Sequence, residues 1–189
     1  MKGVIRTRVG YGGGAKKYPT YQNLGDHTET IQIDYDPTVI SYENLLDVFW
    51  DSHNPVSRSW SRQYMDAIFF QNNEQKRLAL LSKDRLKQRH KKIYTKILLL
   101  TEFYPAENYH QKYRLRSNRD LMRDFNTIYP RGEDFMNSTA AARINGYLSG
   151  YGSLENLKDE LSGFGLSPAA ERKLVEVVKK RKGKIAYAP

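Results

Sequence analysis

The chain has 189 residues and no cysteine. That excludes disulfides, thiolate metal sites and any thiol nucleophile within it. It lacks apolar runs of bilayer-spanning length, and its N-terminus shows no secretory leader pattern. A cytoplasmic protein with no membrane partner and no metal or other cofactor is therefore expected. Acidic residues are also scarce, 21 against 31 lysines and arginines, for a net charge of +10. A basic balance of this size invites a nucleic-acid reading. The charge, however, is spread over Lys83–Lys92, Lys112–Arg123 and Lys173–Lys184. Solvated helix faces and a basic tail are sufficient, because net charge speaks to solubility more than to a site. Nucleic acid is thus a lesser alternative and not an expected partner. The length suits one domain with a core, or one domain plus an appendage.

What the sequence does hold is organised around Gly3–Pro37. A strand over Val4–Tyr11 runs into Gly12-Gly13-Gly14, a Pro19-Thr20-Tyr21 turn follows, and a second strand begins near His27. Strands alternate faces. Glu29, Ile31, Ile33 and Tyr35 therefore share one side, and Thr28, Thr30, Gln32 and Asp34 the other. A single carboxylate lies on the apolar side, at the end nearest the glycines. A carboxyl turned toward a core resists ionisation and can donate a proton near neutral pH. A strand-end Glu whose head reaches water is the plainer alternative.

Farther along, Tyr42, Leu45, Leu46, Phe49 and Trp50 form the apolar stripe of a helix over residues 41–52, with Ser41 as N-cap. Pro55 ends that segment and residues 57–62 read as a loop. Tyr64–Phe70 is apolar on both faces, which predicts an interior strand. A basic helix over residues 74–90, a buried strand over residues 95–100 and a polar aromatic loop or short helix over residues 104–113 follow. After about residue 130 short helices are expected at 140–148 and 154–161. Leu148-Ser-Gly-Tyr-Gly recurs as Leu161-Ser-Gly-Phe-Gly, which predicts two glycine C-caps. Ser167-Pro168 opens a last helix ending in Lys179-Lys180-Arg181-Lys182. The expected division is a domain over residues 1–130 and a basic helical extension over residues 131–189.

Several of these segments together resemble the peptide-methionine (S)-S-oxide reductases, methionine sulfoxide reductase A. They are Gly3-Val4, Val9-Gly10-Tyr11 with its glycines, Pro19-Thr20-Tyr21, His27-x-Glu29 and Tyr35-Asp36-Pro37. The resemblance continues through Ile40–Trp50, His53-Asn54-Pro55, Arg62-Gln63-Tyr64, Ala67-Ile68-Phe69 and Glu74-Gln75-Lys76. It ends with Phe103-Tyr104-Pro105-Ala106-Glu107 and Tyr109-His110-Gln111, and spans roughly residues 3–113. It implies an α/β (α+β) fold, a two-layer ferredoxin-like βαββαβ sandwich. It also implies reduction of methionine-(S)-sulfoxide in proteins, a repair of oxidative damage. In such a reaction a thiolate attacks the sulfoxide sulfur, a carboxyl and two tyrosines hold the oxygen, and thioredoxin restores the thiol. By motif match Glu29 is the carboxyl, and Tyr21 and Tyr64 are the hydroxyls that bind the substrate.

Two departures qualify that implication. The family's Gly-Cys-Phe-Trp nucleophile element, with its first strand and helix, has no counterpart here, so a partial form of a longer protein is expected. The loop between His53 and Tyr64 is shorter than the family pattern and holds no Asp. Without a thiol no turnover is expected and thioredoxin is not an expected partner, although methionine sulfoxide in peptides or proteins is. The alternatives are a non-catalytic sulfoxide-binding or protein-interaction module, a pseudoenzyme in effect, and a basic nucleic-acid-binding protein.

Overall fold

A computed structural model describes residues 1–181. In chain order the elements are β1 (Val4–Gly12), β2 (Thr28–Tyr35), α1 (Tyr42–Asp51), β3 (Ala67–Phe70), α2 (Asn73–Lys87), β4 (Lys96–Leu99) and β5 (Phe103–Pro105). Then come α3 (Tyr113–Arg116), α4 (Arg119–Ile128), α5 (Gly132–Asn137), α6 (Thr139–Leu148), α7 (Leu154–Glu160), a 3-10 turn (Leu161–Phe164) and α8 (Pro168–Arg181). The class is mixed α/β, as the sequence implied. The contacts divide the chain into two units, Val9–Glu107 and Gly3–Arg8 with the chain from Asn108 onward.

In the unit Val9–Glu107, α1 starts where Ser41 and Asn44 close a capping box, the Asn44 N–H donating to Ser41 Oγ (3.1 Å) and the Ser41 N–H to Asn44 Oδ1 (3.3 Å). Leu46 and Trp50 bury the predicted stripe against Ile68 and Ala79. The Trp50 indole N–H is satisfied inside that core by Ser82 Oγ at 2.9 Å. β3 and β4 pair in parallel, from Ala67 opposite Lys96 to Phe70 opposite Leu99, and α2 supplies the crossover that parallel strands require. A three-stranded sheet has the order β2-β1-β5, with β5 antiparallel to β1.

The interior strand expected at Tyr64–Phe70 differs in two respects. It begins only at Ala67, because the serine-rich loop holds the residues before it: the Tyr64 N–H donates to Ser61 Oγ (3.3 Å) and the Asp66 N–H to Ser59 Oγ (3.2 Å). It also has one neighbour, not two, because β3 and β4 form a sheet of their own. Between β2 and β3 lies a slot of about 490 Å³, roofed by Leu45 and Phe49 of α1. Every residue of β2, from Thr28 to Tyr35, lines it. Alternate residues of a strand point to opposite faces, so a lining that takes in all of them marks an open strand edge and not a sheet face.

In the second unit, Leu115, Leu121, Phe125, Phe135, Ile144, Leu157 and Leu174, each at most 2% exposed, form one helical core. Asn118, Ser138 and Ser153 cap α4, α6 and α7 through side-chain oxygens. The glycine repeat does its expected work with one change. Gly150 (φ +97°) and Gly165 (φ +69°) take the left-handed caps, whereas Gly163 stays inside the 3-10 turn. Lys112 is 5% exposed, at φ +53°, and its Nζ donates to the carbonyls of Thr7 and Met136. Of the last basic cluster, the residues past Arg181 lie outside the described residues.

Candidate functional site

The glycine run positions the site by letting chain segments approach closely. Gly13 sits at φ +74°, and a Cβ there would meet the Phe69 ring at 2.3 Å. The N–H of Gly14 donates to Nδ1 of the fully buried His27 (3.3 Å), and His27 Nε2–H donates to the Lys16 carbonyl (2.8 Å). With a backbone N–H on Nδ1 and a carbonyl on Nε2, Nδ1 accepts and Nε2 carries the proton. Asp26 receives the Ala15 and Lys16 N–H groups, and the Ala15 bond above all holds its carboxyl below the ordinary range. Arg62 donates to the carbonyls of Asp26 and Gly13, and Thr28 Oγ1 to the Arg62 carbonyl (3.0 Å). The Glu29 N–H then bonds the Gln63 carbonyl at 2.9 Å. The start of β2 is thereby locked to the Gln63-Tyr64 segment.

At that junction Gln63 Nε2 donates to Glu29 Oε1 (2.7 Å) and to the Tyr64 hydroxyl (3.1 Å). Partial desolvation, a hydrogen bond with Tyr21 and the nearby charge of Glu29, in that order, hold the Tyr64 phenol above its ordinary value. Tyr21 comes from the turn Thr20–Asn23, and its N–H is fixed by Glu107 Oε1 at 3.0 Å. The other oxygen of Glu107 accepts from the buried Tyr11 hydroxyl at 2.6 Å. The structure therefore brings Glu29, Tyr21 and Tyr64 together, from three separate stretches of sequence.

One expectation is corrected. Glu29 is exposed, and Ile31 on the same side of β2 is 55% exposed. The alternation of polar and apolar residues is real, but β2 is an edge strand bordering the slot, so no core covers that end. Two residues of the site were not singled out in the sequence. Gln63 bridges Glu29 and Tyr64, and its signal was its place beside Tyr64. Glu107 anchors Tyr21, and its signal was the Phe-Tyr-Pro-Ala-Glu motif. Among the described residues no group of three or more His, Cys, Asp or Glu could hold a metal ion, and no helix is long and apolar enough to cross a membrane. Chemically, two phenols and a carboxyl converging at an open mouth can surround one small polar oxygen.

The fold is a mixed α/β unit with Glu29, Tyr21 and Tyr64 gathered at one edge strand, and known proteins compare with it as follows. The sequence model of the family described as Peptide methionine sulfoxide reductase matches residues 1–143. The chain belongs to that family. A second model, described as the helical domain of selenoprotein methionine sulfoxide reductase A, matches residues 131–180. The match thus extends well past residue 113, the limit of the sequence motifs, and takes in the helical extension. A peptide methionine sulfoxide reductase of Drosophila melanogaster is 42% identical over 189 residues, covering 98% of this chain and 76% of its own. The A5 form of Oryza sativa subsp. japonica is 42% identical over 154 residues, and the match spans 60% of its length. Among solved structures, reduced Mxr1 of Saccharomyces cerevisiae aligns with a TM-score of 0.57 at 26% identity, over 61% of this chain and 72% of that one. Methionine sulfoxide reductase A of Corynebacterium diphtheriae aligns with a TM-score of 0.56 at 30% identity, over 61% and 65%.

Proposed function

We propose that this chain carries the part of a peptide methionine-(S)-sulfoxide reductase that recognises the substrate oxygen, and that by itself it binds methionine sulfoxide in peptides without reducing it. The observation that carries this reading is the convergence of Tyr21, Tyr64 and Glu29 in a member of this family. In this reading the phenols donate to the sulfoxide oxygen, and Glu29, when protonated, transfers the proton that lets that oxygen leave as the sulfur is attacked. The attack needs a thiolate or selenolate, and the chain has no cysteine. In this reading the nucleophile is supplied from outside these 189 residues, as cysteine by the family motif or selenocysteine by the name of the matched helical model. Thioredoxin has nothing to reduce in this chain. In this reading residues 1–130 are the reductase-like part, the chain from residue 131 is its basic extension, and the cytoplasm is the proposed compartment.

The test is titration of the chain with a peptide containing methionine-(S)-sulfoxide, alongside an assay for thioredoxin- or dithiothreitol-dependent reduction. Binding without turnover is expected. Glu29→Ala should lose about 1–3 kcal/mol of binding, the usual loss when a hydrogen-bond partner is removed, and Glu29→Gln should lose less. Equal affinity of wild type and Glu29→Ala would remove Glu29 from the site, and turnover above a no-protein control would demand another nucleophile.

A further inference from the structure

A second cavity, of about 390 Å³, opens beside the tyrosine pair and takes no part in holding the oxygen. It is lined by Arg58, Trp60, Arg62, Met65, Tyr94 and Lys96, among others. Trp60 is 82% exposed, and its ring lies against that of Tyr64 with centroids 5.0 Å apart. An indole left this open to water is a feature of binding surfaces, where the amphipathic ring is covered on association. The Arg58 guanidinium stands over the Tyr94 ring at 4.9 Å, and the Lys92 ammonium stands over it at 5.0 Å. Hydrogen bonding from Arg58 holds the Tyr94 phenol below its usual value. Arg62 donates to the backbone carbonyls of Asp26 and Gly13, and its charge also acts on the Asp26 carboxyl. Lys96 is exposed. The carboxylate beside them, Asp66, accepts from the Ser59 hydroxyl at 3.3 Å. Arg58, Arg62 and Lys96 in the lining, with Lys92 over the Tyr94 ring, thus outnumber the carboxylates Asp66 and Asp26 around an aromatic floor, an arrangement that favours an anion.

Resting on the functional reading above, we propose that this cavity is a subsite for an aspartate or glutamate side chain of the same extended peptide whose methionine sulfoxide lies against Tyr21, Tyr64 and Glu29. Trp60 links the two sites by lying against the Tyr64 ring, tilted 37° to it. At about 3.3 Å of rise per extended residue, a carboxylate two or three residues from the sulfoxide reaches the cations. A nucleic-acid strand would call for cations repeated along a track of phosphates, and here they close around one cavity.

The experiment uses the full chain and labelled peptides followed by anisotropy. The peptides carry methionine sulfoxide with Asp, Asn or Lys at the second and third neighbours, and the acidic peptide is also made with unoxidised methionine. Wild type should bind the Asp peptide roughly three- to tenfold tighter than the Asn peptide, the yield of two or three exposed charge pairs, and the Lys peptide more weakly than either. The preference should shrink at about 0.3 M salt, where the screening length is only a few ångströms. Arg58→Glu and Lys96→Glu should abolish it while keeping the preference for sulfoxide over methionine. Glu29→Ala should do the reverse. Far-ultraviolet dichroism confirms that each variant is folded. Equal affinity for Asp and Asn peptides in wild type, or a preference that survives both charge reversals, overturns the subsite and leaves the oxygen site standing. An acidic preference with no preference for sulfoxide defeats the functional reading and the shared peptide with it. Displacement of the acidic peptide by a single-stranded oligonucleotide at lower concentration overturns the subsite in favour of nucleic acid.

Discussion

Lys112 is the residue whose chemistry is most at odds with its surroundings. Its burial, with the charges of Arg8 and Arg116 adding to the effect, pushes it from the ordinary lysine value of 10.5 down to about 8. The direction of the resulting pH dependence follows from linkage. Below about 8 both folded and unfolded chains carry the proton, and the cost of burying the charge is fully present. Between about 8 and 10.5 the folded chain gives up the proton first, so stability rises with pH, by about 3 kcal/mol at most for a gap of that size. Denaturant unfolding of wild type and Lys112→Met across this range checks it. The variant should lose the upward slope, and identical pH profiles would show that the ammonium is not the cause. Glu107 offers a second measurement at this scale. Since it holds the Tyr21 N–H and the Tyr11 hydroxyl, Glu107→Ala should weaken sulfoxide binding by about 1–3 kcal/mol, the range for a lost hydrogen-bond partner, although it need not touch the ligand. Unchanged binding would show that Tyr21 holds its place without it. The sequence drew out Glu29, Tyr21 and Tyr64 as candidates because each sits in a compact motif. It could not show Glu29 in the open, because exposure at a strand end depends on what lies across the sheet, and alternation along one strand carries no information about that.

Among the elements, the strands with a cap or a turn at each end were read to within a residue: β2 matches, and α1 begins where Ser41 was expected to cap it. α4 was missed although Leu121, Met122, Phe125 and Ile128 trace a regular stripe, because the dense charges around it read as a solvated face. α3 is a single turn set by the left-handed Lys112, and a single turn leaves no periodic trace. The open edges of β2 and β3 bear directly on stability. Strand edges that border an apolar cavity invite pairing with another chain. The 189-residue chain is expected to be marginal, aggregation-prone or dimeric, and a strand–helix segment of the family type should stabilise it. Light scattering with thermal unfolding decides: a clean monomer with a reversible transition above about 60 °C, beyond most mesophile domains, would show that the slot costs little. In the helical unit, Leu174→Ala removes a fully buried side chain. It should cost about 2–5 kcal/mol, the range for such cavities. A loss below about 1 kcal/mol, the usual scale of a surface change, would show that α8 is not part of that core.

At the scale of the whole molecule, the chain holds an α/β unit in which Glu29, Tyr21 and Tyr64 lie close together and a helical unit with its own core, and two methionine sulfoxide reductase models match residues 1–143 and 131–180. The net charge of +10 does not gather on one element. Where it does concentrate, around Tyr94, it lies beside Trp60, whose ring meets that of Tyr64, which no reading of linear charge runs could have shown.

The two tryptophans differ as sharply as any pair of residues in the chain. Trp50 is buried, its indole N–H bonded to Ser82, while Trp60 stands 82% in solvent. Their emission will separate by wavelength, a blue component from the apolar interior and a red one from the surface. A single unlabelled sample therefore carries two optical channels. Iodide will quench the red channel and spare the blue. Ligand covering Trp60 will shift the red one alone, and loss of the interior will move the blue one whatever is bound.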